Sequence, residues 1–275
     1  MESNEDLKFF GGSDAIKRMH KESLIDTSVK VKFPPCAISI GYFSVGTQEY
    51  NNPFGTYGNF SVVSGMGKVR KSFFISTLIA AYIGGNSNAY ASDFKGHWDG
   101  NKSILHFDTE QGDWHAQNCA VRVEKLVGNK NPKYFPKKLR KWGAKERVEY
   151  IEWCILNSHY KRDGIGLVII DGIADLVTDV NSLVECNELI QKLMMWTEVS
   201  NCHLITVIHT NFDSKKATGH LGSAVMKKAE TVCIITATDQ ESEVEFKMTR
   251  GSKIDNIAFH IDSDGLPHVT QPSII

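Results

Sequence analysis

Four consecutive apolar residues, Leu167-Val168-Ile169-Ile170, stand between Gly166 and Asp171 and leave no polar face for a strand to turn toward water. A strand that is apolar on both sides has to be covered on both sides, which is the situation of a parallel strand between two layers of helix. Residues 60–64 and 103–107 are near-continuous apolar runs of the same kind, and 204–209 is a fourth candidate strand. Helices are expected at 71–83, 113–127, 145–159, 184–199 and 222–229. The later strand candidates, 231–236, 244–248 and 257–261, alternate more and follow short turns, as antiparallel edge strands do. The expected class is therefore α/β in three layers, with a mainly parallel central sheet and antiparallel C-terminal edge strands. Residues 1–35 are polar and mixed and close on Pro34-Pro35, so they are expected as an N-terminal extension to one domain over 36–275. Residues 37–42 alternate like a short strand, and Asn51-Asn52-Pro53-Phe54-Gly55 carries turn chemistry.

The first strand runs into Gly65-Met66-Gly67-Lys68-Val69-Arg70-Lys71-Ser72-Phe73. Set against G-x-x-x-x-G-K-[ST], the residues Gly65, Lys71 and Ser72 fall in register, while Arg70 stands where a second glycine is usual. A loop of this kind between strand and helix points backbone N–H groups at phosphates, and the helix N-terminus adds its positive dipole end. Residues 65–73 are thus expected to cradle nucleotide phosphates, with Lys71 on the terminal oxygens and Ser72 on Mg2+. A register on Gly67-Lys68 fails, because it needs a glycine at position 62 and a hydroxyl residue at 69, where valines stand. The competing reading is a basic turn that only begins a helix.

Three further strand ends carry polar chemistry. Asp171 closes an apolar strand where open α/β sheets bind ligands, and is expected to share Mg2+ with Ser72. The strand ending Phe107-Asp108-Thr109-Glu110 offers a carboxylate to orient and polarise an attacking water. Glu110 is the expected base, with Asp108 as its competitor. His209 ends the fourth strand and is expected to sense the terminal phosphate. Each also has a plain structural reading as a solvated strand end or turn residue.

In this order the elements resemble the RecA-like ATPases, specifically the DnaB/RepA-type hexameric helicase branch, over roughly residues 35–268. The Arg-Lys-Ser variant of the loop resembles that of RepA-like ATPases encoded on mobilizable transposons and plasmids of gut bacteria. The resemblance implies ATP and Mg2+ as ligands, a ring of identical subunits, and single-stranded DNA as partner during replication or mobilization. It also implies partner proteins for that process, and Lys247 and Arg250 as cations reaching a neighbour's nucleotide, although two residues separate them here rather than one. The loop after the sensor strand would then face nucleic acid, offering Phe212, Lys215 and Lys216.

Composition adds limits. Lys plus Arg total 31 against 32 Asp plus Glu, so nucleic acid can be drawn only by local patches. The richest runs from Lys130 to Arg147, with eight cations and Glu146 alone against them, and Tyr134, Phe135 and Trp142 interleaved. A phosphate track and a solvated connector both fit it. The six cysteines form no CxxC pair, which suits buried reduced thiols. The N-terminus has no signal-like apolar core and no stretch is long enough to span a bilayer, so a cytoplasmic protein is expected. Two other readings stay open: a nucleotide-gated binding module with little turnover, and a small-molecule kinase.

Overall fold

A computed structural model describes residues 13–85, 89–210 and 217–270. The chain divides into two units, Met1–Phe33 and Pro34–Ile275. In the first, α1 (Asp14–Ser23) is capped by Ser13, whose hydroxyl accepts from the Ile16 amide, and none of its residues is buried.

The second unit is built on a nine-stranded sheet. In chain order its strands are β3 (Phe60–Gly65), β5 (Ser103–Asp108), β6 (Tyr134–Lys138), β7 (Ile165–Asp171), β8 (His203–His209), β9 (Thr231–Ala237), β10 (Glu241–Thr249), β11 (Ile257–Ile261) and β12 (Pro267–Thr270). Across the sheet they stand in the order β12-β11-β10-β9-β3-β8-β7-β5-β6. From β9 to β6 all neighbours are parallel, and β9 to β12 pair antiparallel. A smaller antiparallel sheet joins β1 (Cys36–Val45), β2 (Gln48–Thr56) and β4 (Phe94–Gly96).

The double-sided apolar runs behave as their composition requires. Leu167 and Ile169 point into one core with α2 (Lys71–Ile83) and α3 (Asp113–Val127). Val168 and Ile170 point into a second core with α4 (Ala144–Leu156), α5 (Leu183–Ser200) and α6 (Gly219–Lys228). The class is α/β, with a mostly parallel sheet, antiparallel edge strands and helices on both faces. Ten of the thirteen residues of α2 are buried, because the small sheet and α3 close over the sides the main sheet leaves open.

Three local expectations are corrected. The segment 51–55 is not a turn but lies inside β2, an edge strand of the small sheet, where Pro53 stands opposite Ser39 between two register irregularities. The helix expected over 145–159 stops at Leu156, and His159–Asp163 forms a separate 3-10 turn capped by the Ser158 hydroxyl. Part of the basic segment 130–147 is β6, an edge strand that tolerates Pro136 because one side of it has no partner strand.

Candidate functional site

Four adjacent strands, β3, β8, β7 and β5, end on the same edge of the sheet. Their C-terminal residues therefore converge: the loop after Gly65, His209, Asp171, and the turn Asp108–Glu110. Together with the first turn of α2 and one face of α3 they bound a cavity of about 750 Å³.

The loop is shaped for close approach. A Cβ on Gly65 would stand 2.5 Å from the Ile235 carbonyl oxygen and 2.8 Å from a Val69 methyl, so only glycine fits between β9 and the loop. Lys68 (φ 65°) and Arg70 (φ 66°) are left-handed, while Gly67 before them and Val69 between them are not. Backbone that alternates hand in this way turns successive amides to one side and makes an anion-binding nest. The amides of Lys71 and Ser72, ahead of the first bonds of α2 from Phe73 and Phe74 to the Arg70 carbonyl, likewise have no acceptor within the helix. Two left-handed side-chain-bearing residues cost about 1–2 kcal/mol each, and strain of that size persists where surrounding contacts hold it.

Those contacts answer the question that Arg70 raises. Its backbone takes the hand a glycine would take, and its guanidinium leaves the loop for the β9–β10 turn. There Nη1 donates to the Thr238 carbonyl (3.3 Å) and the Ser242 hydroxyl (3.2 Å), and Nη2 to the Asp239 carbonyl (3.2 Å). Met66, Gly67 and Lys68 remain exposed at the loop crest, Val69 is buried beneath it, and Phe73 is half-buried. The Arg122 guanidinium lies 3.6 Å above the Phe73 ring, closing the α3 side.

Lys71 is only 7% exposed. Its Nζ donates to the carbonyls of Gly65 (3.0 Å) and Met66 (2.6 Å) and lies 3.2 Å from His209 Nδ1. Burial lowers its pKa, while the charges of Glu110 and Asp171 pull the other way. Because an ammonium can only donate, Nδ1 accepts and the proton of the neutral ring sits on Nε2. From there it reaches Glu110 Oε2 at 3.2 Å. That bond holds the Glu110 carboxyl below its ordinary range despite partial burial. Lys71, His209 and Glu110 thus form one continuous line.

Beside it, Ser72 Oγ donates to Asp171 Oδ2 at 3.2 Å and accepts from Gln111 Nε2 at 3.0 Å. Burial, helped by the charges of Asp108 and Glu110, pushes the Asp171 carboxyl up to about 7. Asp108 Oδ1 accepts the amides of Glu110 (3.1 Å) and Gln111 (2.8 Å), which sets the turn that aims Glu110. Its Oδ2 is buried without a partner, and burial raises its pKa. These hard oxygen donors suit Mg2+. Among the described residues no three His, Cys, Asp or Glu form a cage, but Mg2+ held by one or two carboxylates and substrate phosphates needs none.

Lys247 and Arg250 do not join this group. Lys247 Nζ lies 3.4 Å from Glu245 on its own strand. Arg250 sits at the opposite edge of the sheet, its Nη1 on Asn59 Oδ1 (3.1 Å) and its amide on the Glu230 carbonyl (2.9 Å). Phe212, Lys215 and Lys216 lie outside the described residues. Sequence reasoning missed Gln111 and Arg122. Gln111 follows Glu110 directly and was within reach of the strand-end argument, whereas Arg122 is placed only by the packing of α3 on α2.

No protein-family model matches the chain, and no curated protein matches it. What fold and site define together is an α/β protein with a basic, strained loop and three carboxylates gathered at one sheet edge. Among the described residues no helix is long and apolar enough to cross a membrane.

Proposed function

We propose that this chain is an ATP-hydrolysing enzyme of the RecA-like kind, acting on single-stranded DNA as a helicase or DNA-dependent motor in mobile-element replication or mobilization. The observation that carries the reading is the pair of contacts set side by side: Ser72 on Asp171, and Lys71 to His209 to Glu110. The order of the strands supports it, because β8 between β3 and β7 puts His209 between the loop and the acids.

In this reading the alternating amides of 67–70 and the start of α2 hold the phosphates, and Lys71 offsets the charge of the terminal one. Ser72 and Asp171 would hold Mg2+, which supplies positive charge against the β- and γ-oxygens when bound. Glu110 orients and deprotonates water. A phosphate that draws Lys71 away from His209 Nδ1 alters the bond His209 makes to Glu110, so the histidine reports occupancy to the acid. Lys247 and Arg250, away from their own pocket, would serve a neighbour's in a ring of identical subunits. Six free thiols suit the cytoplasm.

One observation favours a second reading, a nucleotide-gated binding module with slow turnover: Glu110 is tied to His209 and is a weakened base in that state. Phosphate release from Mg-ATP, with and without single-stranded DNA, separates the two. The parent is expected to turn over and Lys71→Ala to lose at least ~100-fold, the scale of one preorganised charge at a reacting group. A Lys71→Ala protein as fast as the parent rejects the enzyme reading.

A further inference from the structure

The cations of 130–147 are not a bare charge run. Lys133 pairs with Asp163 (2.8 Å), Lys138 with Asp113 (2.7 Å), and Lys145 lies 3.9 Å from Glu149. Lys137 Nζ bonds the Tyr160 hydroxyl (2.7 Å). Eight cations thus face Glu146 and four partner carboxylates, the fourth being Asp175 at 3.9 Å from Arg147, and the ribbon stays positive. Arg147 is not part of its outer face. It fixes the connector from beneath, donating to the carbonyls of Leu139 (3.1 Å), Arg140 (2.9 Å) and Asp175 (2.7 Å).

What this clamp presents is aromatic. Trp142 is 45% exposed, Tyr150 36% and Trp153 48%, all within twelve residues. Tyr150 and Trp153 are near-parallel, with centroids 6.1 Å apart at 22°, and Tyr150 stands edge-on against buried Phe107 of β5. Lys141 Nζ lies 4.7 Å from the centre of the Trp142 ring. Leu139, Trp142 and Tyr150 line a groove of about 490 Å³, with Lys137, Lys138 and Arg147 along it and Glu146 and Glu149 on its α4 side, while Arg140, Lys141 and Trp153 flank it outside that lining. Exposed rings beside lysines match a polymer that alternates flat bases with phosphates, and the positive balance of the ribbon matches its charge.

We propose that this groove, between β6 and the exposed face of α4, together with the surface flanking it, binds single-stranded nucleic acid, with Trp142 and Tyr150 in the groove and Trp153 beside it as stacking surfaces, and Lys138 in the groove and Arg140 and Lys141 at its rim as phosphate contacts. The surface uses no residue of 211–216 and is distinct from the nucleotide pocket. It reaches the latter at one point: the Leu139 amide bonds the Asp108 carbonyl (2.7 Å), and Arg140, next in the chain, helps lower the Glu110 pKa.

The test is fluorescence anisotropy of a labelled twenty-nucleotide oligo(dT) titrated with the full chain, without nucleotide, at several salt concentrations. Trp142→Ala/Trp153→Ala is expected to weaken binding about tenfold or more, within the range of base–aromatic stacking, and Trp142→Phe/Trp153→Phe to recover most of it. Lys141→Gln is expected to reduce the salt slope by about one ion. The titration holds no nucleotide, so this result does not depend on the ATPase reading. If the parent binds and the alanine pair binds equally well, the groove is not the surface, although DNA can still be the partner. If the parent binds no oligonucleotide but self-associates through these tryptophans, the groove is a protein-docking face. Either result overturns the proposal.

Discussion

The two edges of the parallel sheet are built from the same residue types and treat them differently. At the N-terminal edge Glu230 is 6% exposed, and each carboxylate oxygen accepts one bond at 2.7 Å, from the Thr56 amide and the Thr56 hydroxyl. His203 beside it is fully buried and bonds the Thr56 carbonyl at 3.0 Å, and burial holds its ring neutral by lowering its pKa. Arg250 rests on Asn59. At the C-terminal edge Asp108 keeps one oxygen unpartnered, Asp171 is pushed up to about 7, and Lys71 is the one lysine whose charge acts on both Glu110 and Asp171. A buried acid whose donors are supplied by its own fold is a fastening. A buried acid left short of donors favours whatever cation or proton arrives.

The comparison predicts opposite signs for two acid removals. Glu230→Ala leaves the Thr56 amide and hydroxyl buried without acceptors and is expected to lower unfolding free energy by about 3 kcal/mol, measured in urea, with nucleotide affinity unchanged. A neutral outcome would erase the distinction between the edges. Asp171→Asn is expected to do the reverse, stabilising the nucleotide-free protein by about 2 kcal/mol at pH 8 while removing turnover. The sign follows from a carboxyl whose folded pKa lies above its unfolded value. Its contribution to stability is fully present below about pH 4 and is lost as pH rises through about 7. The gap between Asp171→Asn and parent in thermal melts should therefore narrow on acidification to pH 5 and close below about pH 4. The smallest effect is expected of Arg70→Gly. Glycine relieves the left-handed strain but gives up the bonds to the β9–β10 turn, so stability should move by less than about 1 kcal/mol, with the phosphate loop still competent.

The parallel core was legible because Leu167–Ile170 and its counterparts are apolar on both faces, a pattern few other arrangements accept. β6 was not, because Tyr134-Phe135-Pro136-Lys137-Lys138 reads as a charged connector with a proline in it, and only its place at the sheet margin makes those residues acceptable. β2 was hidden the same way by Asn51-Asn52-Pro53. The candidate site was readable wherever a residue follows directly from a strand end, as Asp171, Glu110 and His209 do. Arg122 reaches Phe73 across two packed helices, a relation that no spacing along the chain records. The conformation of Arg70 was the reverse case: identity argued against a glycine-like turn, and anchoring of the side chain elsewhere allowed one.

The enclosure of α2 bears on how this edge can respond to a ligand. A helix walled in by a sheet, a second small sheet and α3 cannot roll or slide without opening a void in the core. Lys71 and Ser72, at its first turn, are therefore a fixed abutment. Give at this edge is left to the side chains of the far wall, such as Trp114, 69% exposed on the first turn of α3, which can turn onto a ligand seated against the abutment while the phosphate loop stays still.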